Sequence, residues 1–233
     1  MELENVTSES RKGGRRYDDA CGAAHALDIV GERWALLVMR ELMFGPKRFS
    51  DIRASLPGIS ANVLTQRLEG LEASGVLVKK RLPPPASVQV YELTDWGYAS
   101  EPIFQVLGRW GAASPLHDPT LPLSTASILL SFRTMIDPER AKGIDARIGF
   151  RLGEESFVGH IAGGGIAIER VETLDASLIF TGTAQALAAA VYGGIPLVNL
   201  ETQGALRVEG DRALVARFLT LFPLPDKAAL PGG

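Results

Sequence analysis

Apolar residues recur at spacings of three and four through the first half of the chain, and the breaks between those runs predict its helices. Asp18 and Asp19 open a helix that runs to about Val30, their acidic side chains suited to a helix N-terminus. Trp34 to Leu42 is the next periodic segment, and Gly45-Pro46 stops it. Phe49, Ile52 and Leu56 mark a short helix closed by Pro57-Gly58. Ser60 caps a helix that runs to Ser74, with Gly75 as its C-terminal stop. Val76-Leu77-Val78 and Val88 to Leu93 then read as the two strands of a hairpin around the stiff tip Pro83-Pro84-Pro85. Thr94 opens a helix to about Ala112 in which Phe104, Leu107 and Trp110 are available for burial.

The pattern changes at the Pro-rich stretch 114–124, which reads as a linker ending the first domain. Beyond it, Ser127 to Ile136 reads as a helix and Asp145 to Leu152 as a strand. Ser156 to Ile161 and Gly165 to Val171 are strands around the turn Gly163-Gly164-Gly165. Leu178 to Thr181 is a further strand, Gln185 to Tyr192 an apolar helix ended by Gly193-Gly194, Gly204 to Val208 a strand, and Asp211 to Phe222 a closing helix. The fold class expected is therefore α+β. The division is a disordered polar arm at 1–16, a mostly helical domain at 17–113, the linker at 114–124, a sheet-and-helix domain at 125–223 and a tail at 224–233.

Two short helices at a turn followed by a hairpin are the order of a helix-turn-helix with a wing, which places one helix in the DNA major groove. Net charge is −3, but between Gly45 and Arg81 seven basic residues oppose Asp51, Glu69 and Glu72, a local balance of +4. Phosphates respond to charge within a Debye length of about 10 Å, so the local balance is the relevant one. On the Ser60–Ser74 helix, Leu64, Leu68 and Leu71 share one face while Asn62, Gln66 and Glu69 point the opposite way. Asn and Gln offer bidentate contacts to adenine, and a small serine allows close approach, so Ser60, Asn62 and Gln66 are the candidate base readers. Thr65 and Arg67 reach flanking edges or phosphate, and Lys47, Arg48 and Arg53 approach the backbone. A polar helix face is ordinarily just the solvated side of a core helix. Here the Lys47-Arg48 pair upstream and the basic hairpin downstream favour DNA. Lys79, Lys80 and Arg81 sit on a hairpin too short to have its own core, which directs them to phosphate, although charge also protects an edge strand.

These residues resemble the HxlR family of bacterial winged-helix regulators. The resemblance runs from Cys21 through Gly31-Glu32-Arg33-Trp34, Arg40-Glu41-Leu42, Gly45-Pro46-Lys47-Arg48-Phe49 and Gly58-Ile59-Ser60. It continues through Leu64-Thr65-Gln66-Arg67-Leu68, Leu71-Glu72, Gly75-Val76-Leu77, Tyr91-Glu92-Leu93-Thr94 and Gly97, and so covers about residues 18–112. It implies a dimeric repressor or activator whose first and last helices form the dimer contact. The family usually carries a basic residue just before the Tyr-x-Leu-Thr run, where this chain has Val88, which shifts wing readout to Lys79, Lys80 and Arg81. Cys21 falls at a cysteine position common in the family, where some relatives use it as a thiol switch. Its place in a first helical turn, with Arg15 and Arg16 upstream and His25 four residues on, favours a reactive thiolate. The alternative is a small buried apolar residue.

The second half offers no catalytic constellation: His117 falls in the linker and His160 has no Ser-Asp or metal-ligand partner near it in sequence. Gly163-Gly164-Gly165 lacks the spacing of a nucleotide loop. Its apolar residues suit either an ordinary core or a pocket for an apolar small molecule, bordered by Phe132, Phe150, Leu187, Val191, Leu197 and Phe218. The run Asp175-Ala176-Ser177-Leu178, the Gln185 to Tyr192 helix with Gly193-Gly194, Gly204 to Asp211, and Arg217-Phe218-Leu219 with Leu221-Phe222 resemble the sterol-carrier-protein type 2-like lipid-binding domain over about residues 125–222. That resemblance implies a curved sheet and helices around an apolar cavity.

The single cysteine excludes an internal disulfide and fits a reducing cytoplasm, and no apolar run reaches the roughly 18 residues of a membrane span. The function expected is a non-enzymatic, homodimeric transcriptional regulator that binds double-stranded DNA and responds to an apolar small-molecule or lipid-like effector, with no cofactor and no metal. The alternatives are a thiol-based redox regulator using Cys21, or a lipid carrier whose winged helix serves protein contacts.

Overall fold

The computed structural model describes residues 17–83 and 87–229. The expected arm at 1–16, with Arg15 and Arg16, and the tip prolines Pro84 and Pro85 lie outside the described residues. The first half of the chain holds helices α1 (Gly22–Val30), α2 (Ala35–Glu41), α3 (Phe49–Ala54) and α4 (Ala61–Ala73), then strands β1 (Leu77–Arg81) and β2 (Gln89–Leu93), then helices α5 (Asp95–Tyr98) and α6 (Glu101–Ala112). Helix α1 begins later than the acidic residues suggested: Asp19 Oδ1 accepts from the Cys21 N–H at 2.8 Å, and Cys21 takes the N-cap position. The helix expected from Thr94 to Ala112 divides at Ala99-Ser100. Thr94 Oγ1 caps α5 through the Gly97 N–H, while Ser100 starts α6 with Pro102 in its first turn. Gly97 is required there, because a Cβ would stand 2.2 Å from the Val76 carbonyl oxygen.

The second half holds α7 (Thr125–Met135), α8 (Pro138–Ala141), β3 (Ala146–Leu152), β4 (Glu155–Ala162), β5 (Gly165–Arg170), β6 (Leu178–Gly182), α9 (Ala184–Val191), α10 (Leu197–Thr202), β7 (Leu206–Gly210) and α11 (Arg212–Phe218). Its five strands lie in the order β5-β4-β3-β6-β7. Only the central β3–β6 pair is parallel among those pairings, which is why a long connection separates those two strands. Helices α8 and α10 are additions to the sequence reading. The closing helix stops at Phe218 instead of Phe222, and Leu221 and Phe222 fold back as buried residues after its end.

Each half has the apolar interior its patterning dictates. Leu64, Leu68 and Leu71 of α4 meet Val38, Leu42 and Ile52, all at most 1% exposed. Phe132, Phe150, Phe157, Phe180 and Phe218 are the largest fully buried side chains of the second half. The two interiors are continuous across α6, α7 and the α2–α3 turn, so residues 114–124 do not separate independent bodies. Among the described residues, no helix is long and apolar enough to cross a membrane.

Candidate nucleic-acid interface

Helix α4 is positioned by its apolar face and by its cap. Ser60 Oγ accepts from the Val63 N–H at 3.2 Å, which fixes where the helix starts and leaves its first turn at the surface. Ser60, Asn62, Thr65 and Gln66 are all exposed, Asn62 and Gln66 on the side away from Leu64 and Leu68. Arg48 and Arg53, flanking and ending α3, are exposed as well. Strands β1 and β2 pair antiparallel from Leu77↔Leu93 to Arg81↔Gln89, and Lys79, Lys80 and Arg81 project from the exposed end of this ribbon. Lys80 pairs with Glu92 at 2.6 Å and Arg81 Nε donates to the Ser87 carbonyl, contacts weak enough at an exposed site to be exchanged for phosphate.

Two of the expected DNA contacts are placed differently. Lys47 is only 6% exposed, and its Nζ lies 3.5 Å from Glu41 Oε2 and 3.8 Å from Glu155 Oε2. A lysine held between two carboxylates inside the protein is not presented to a phosphate, so its place in the basic run was misleading. Arg67 is only partly exposed and turns back to Glu32 at 3.2 Å, which anchors α4 to the end of α1. With Lys47 withdrawn, the exposed positive charge rests on Arg48, Arg53 and the β1 ribbon.

The residue that sequence reasoning missed is Glu41. It is fully buried, and its Oε1 accepts from Arg40 Nη2 at 2.8 Å and from Ser124 Oγ at 2.7 Å. Its position gave a usable signal: it lies three residues after Val38, on the border of the stripe Ala35, Val38, Met39 and Leu42 that α2 buries. A carboxylate on such a border needs partners, and Lys47, Arg40 and Ser124 supply them.

Three of the six residues expected to border an enclosed cavity, Phe132, Phe150 and Phe218, pack against one another. The Phe132 ring lies 5.7 Å from Phe150 and 5.5 Å from Phe218, and Phe150 lies 5.9 Å from Phe218. Leu187 is fully buried, and Val191 and Leu197 are partly buried against the apolar core of the chain. The correction has a simple cause. Apolar residues drawn from several strands and helices converge in a packed core as readily as around a ligand, and aromatic rings at 4.5–7 Å are in ordinary contact. Tyr192 closes the cluster's edge, 2.8 Å from Ser131 Oγ; burial pushes its phenol well above the usual range against the opposing pull of that bond.

His160 gains a partner that the sequence did not place near it. Its Nε2 lies 2.8 Å from Asp145 Oδ1, with both side chains exposed in an open groove that also includes Arg147, Asp175 and Ser177. Ser177 Oγ donates to the Arg147 carbonyl instead of to the imidazole, so no nucleophile–base pair forms. Among the described residues, no group of three or more His, Cys, Asp or Glu is placed to hold a metal ion.

Phe104 and Trp110, both available for burial on the sequence pattern of the last helix, separate. Phe104 is 7% exposed and belongs to the core, whereas Trp110 is 75% exposed. Trp110 shares an open apolar face of α6 with Pro102, Ile103, Val106 and Leu107. Cys21 is exposed, and the free backbone N–H groups of Ala23 and Ala24 at the open end of α1 hold its thiol below the ordinary cysteine value.

A capped, surface-lying second helix beside a basic two-stranded ribbon defines the class: a winged helix-turn-helix protein. Residues 29–117 match the HxlR-like helix-turn-helix family, and the chain belongs to it. It is 43% identical over 86 residues to the uncharacterized HTH-type transcriptional regulator YvaP of Bacillus subtilis (strain 168), covering 36% of this chain and 79% of that protein. It is 36% identical over 85 residues to the HTH-type transcriptional regulator YodB of the same organism, covering 36% of this chain and 76% of that protein. The solved reduced form of YodB is 33% identical, with a TM-score of 0.38, and the match covers 42% of this chain and 98% of that one. The family match ends at residue 117, so the five-stranded sheet lies beyond it.

Proposed function

We propose that this chain is a sequence-specific, DNA-binding transcriptional regulator that acts as a homodimer. The observation that carries the reading is the exposed polar face of α4, bearing Ser60, Asn62 and Gln66, next to the Lys79–Arg81 ribbon in a family whose matched relatives are transcriptional regulators. Such a protein binds and does not catalyse, and it acts where the genome is, which is the cytoplasmic placement expected from the sequence. The test is titration of a duplex selected by the protein from a random pool. Gln66→Ala is expected to cost about 1–3 kcal/mol at one base position and to relax preference there. Lys79→Ala is expected to weaken every duplex and to reduce the log–log salt slope by about one. Equal losses for Gln66→Ala on selected and random duplexes would assign that residue to the wrong contact.

Dimerisation through α6 follows from its open apolar face, because Val106 and Trp110 are more than two-thirds exposed in the single chain. Val106→Glu is expected to give a monomer by sedimentation at micromolar concentration, with folding retained because the site is at the surface. A wild-type monomer under the same conditions would sink this assignment.

For the input, the packed Phe132–Phe150–Phe218 cluster gives no support to an apolar effector held among those residues, and the sterol-carrier resemblance rests on the order of elements and a few local runs of sequence. The second reading, redox control through Cys21, has its own observation in an exposed thiol with a lowered pKa. The sign is direct: a lower pKa means more thiolate at neutral pH. Alkylation of the folded protein by iodoacetamide should therefore rise with pH through a midpoint below that of the same protein unfolded. Coincident midpoints would remove the argument for a sensor.

A further inference from the structure

We propose that Lys47 is a joint through which the C-terminal domain sets the position of the wing. The inference rests on the DNA-binding reading for its consequence, but not for its geometry. The backbone of Lys47 is part of the wing: its N–H donates to the Tyr91 carbonyl at 3.0 Å, and the Tyr91 N–H donates back to the Lys47 carbonyl at 2.9 Å. Its side chain points the other way, to Glu41 of the DNA-binding domain and Glu155 of β4. One residue therefore holds the wing strand by its main chain and the second domain by its side chain.

The second domain grips this point from more than one side. Glu155 Oε1 also pairs with Arg170 Nη2 at 2.7 Å, and Arg170 Nη1 donates to the Pro46 carbonyl, the residue just before the joint. Phe44 meets Phe157 edge-to-face at 5.8 Å, and the Arg133 guanidinium lies over the Phe44 ring at 4.7 Å while pairing with Glu101. The whole turn from Phe44 to Lys47, which leads into the helix-turn-helix, is thus held by α7, β4 and β5. A buried ammonium cannot leave its carboxylates without a large desolvation penalty, so the wing strand and the second domain move together. Glu155 and Arg170 remain about one-third exposed, so the joint is open to whatever perturbs the edge of the sheet.

Hydrogen exchange on the full chain without DNA tests the geometry, and anisotropy with a labelled random-sequence duplex at low salt tests the consequence. In Glu155→Gln, the Lys47 and Tyr91 amides are expected to exchange about tenfold faster, with α4 and β3 amides unchanged. Affinity for the duplex is expected to fall about fivefold or more, within the range of ordinary coupling energies. Arg170→Lys keeps a cation beside Glu155 but loses the reach to the Pro46 carbonyl, and should show a smaller rise confined to the same amides. Unchanged Lys47 and Tyr91 exchange in Glu155→Gln would overturn the joint. So would a uniform rise across the chain in both variants, since the ion pairs would then only hold the domains together. Faster local exchange with unaltered duplex affinity would overturn its control of DNA binding. Failure of the wild type to bind any duplex would refute the DNA-binding reading while leaving the exchange arm to judge the joint.

Discussion

Glu41→Ala is expected to destabilise the protein by about 3–5 kcal/mol, the usual cost of breaking a buried charge pair. The carboxylate is fully buried and serves Arg40, Lys47 and Ser124 at once. Its removal leaves Lys47 inside the protein with Glu155 alone, 3.8 Å away. Arg40 suffers less, because its side chain is 22% exposed and can turn to water. Urea unfolding followed by far-UV circular dichroism reads the change as a lower midpoint with an unaltered slope. Because Ser124 and Glu155 belong to the second half, both halves should lose stability in one transition. A loss below about 1 kcal/mol, in the range of an exposed pair, would show that the site is wetter than its burial implies.

Phe132→Ala is expected to cost a similar amount, about 3–5 kcal/mol, for a different reason. The ring contacts Phe150, Phe218 and Phe222, and its centroid is 4.5 Å from that of Phe222. Truncation removes those contacts and leaves a hole that its rigid neighbours cannot collapse into. Such a hole, lined by rings, should stay dry and accept benzene or xenon. Thermal shift with benzene should therefore raise the melting temperature of the variant and leave the wild type unmoved. This experiment also judges the effector reading. If the wild type is stabilised by small apolar molecules as strongly as the variant, a pocket opens in the native ensemble and the packed cluster is not its resting limit.

The wing and the recognition helix were legible in the sequence because their signals are local. Helix α4 is specified by Leu64, Leu68 and Leu71 at helical spacing, by a serine cap and by a glycine stop, all within one short segment. The strands of the second domain were legible for the same reason, within one or two residues at their ends. The break at Ala99-Ser100 was less so, since an apolar periodicity continues across it, and the close approach of Gly97 to the Val76 carbonyl comes from a segment distant in the chain.

What each charged or apolar side chain does was legible only where its surroundings were local too. Gln66 and Lys79 are exposed because their own helix and ribbon leave them so. By itself, the sequence determined the order of the strands and longer helices, the capped helix, the basic ribbon and membership of a DNA-binding family. Only the tertiary structure decided that Lys47 is buried and Arg48 is not, since Glu155 lies 108 positions further along the chain than Lys47 and nothing local announces the pair. It also decided that Phe132, Phe150 and Phe218 face one another and not a cavity, and that Phe104 is core while Trp110 stands open. Burial and ion pairing are properties of what lies across a packed interface, and that is set by how distant segments meet and not by the pattern within any one of them.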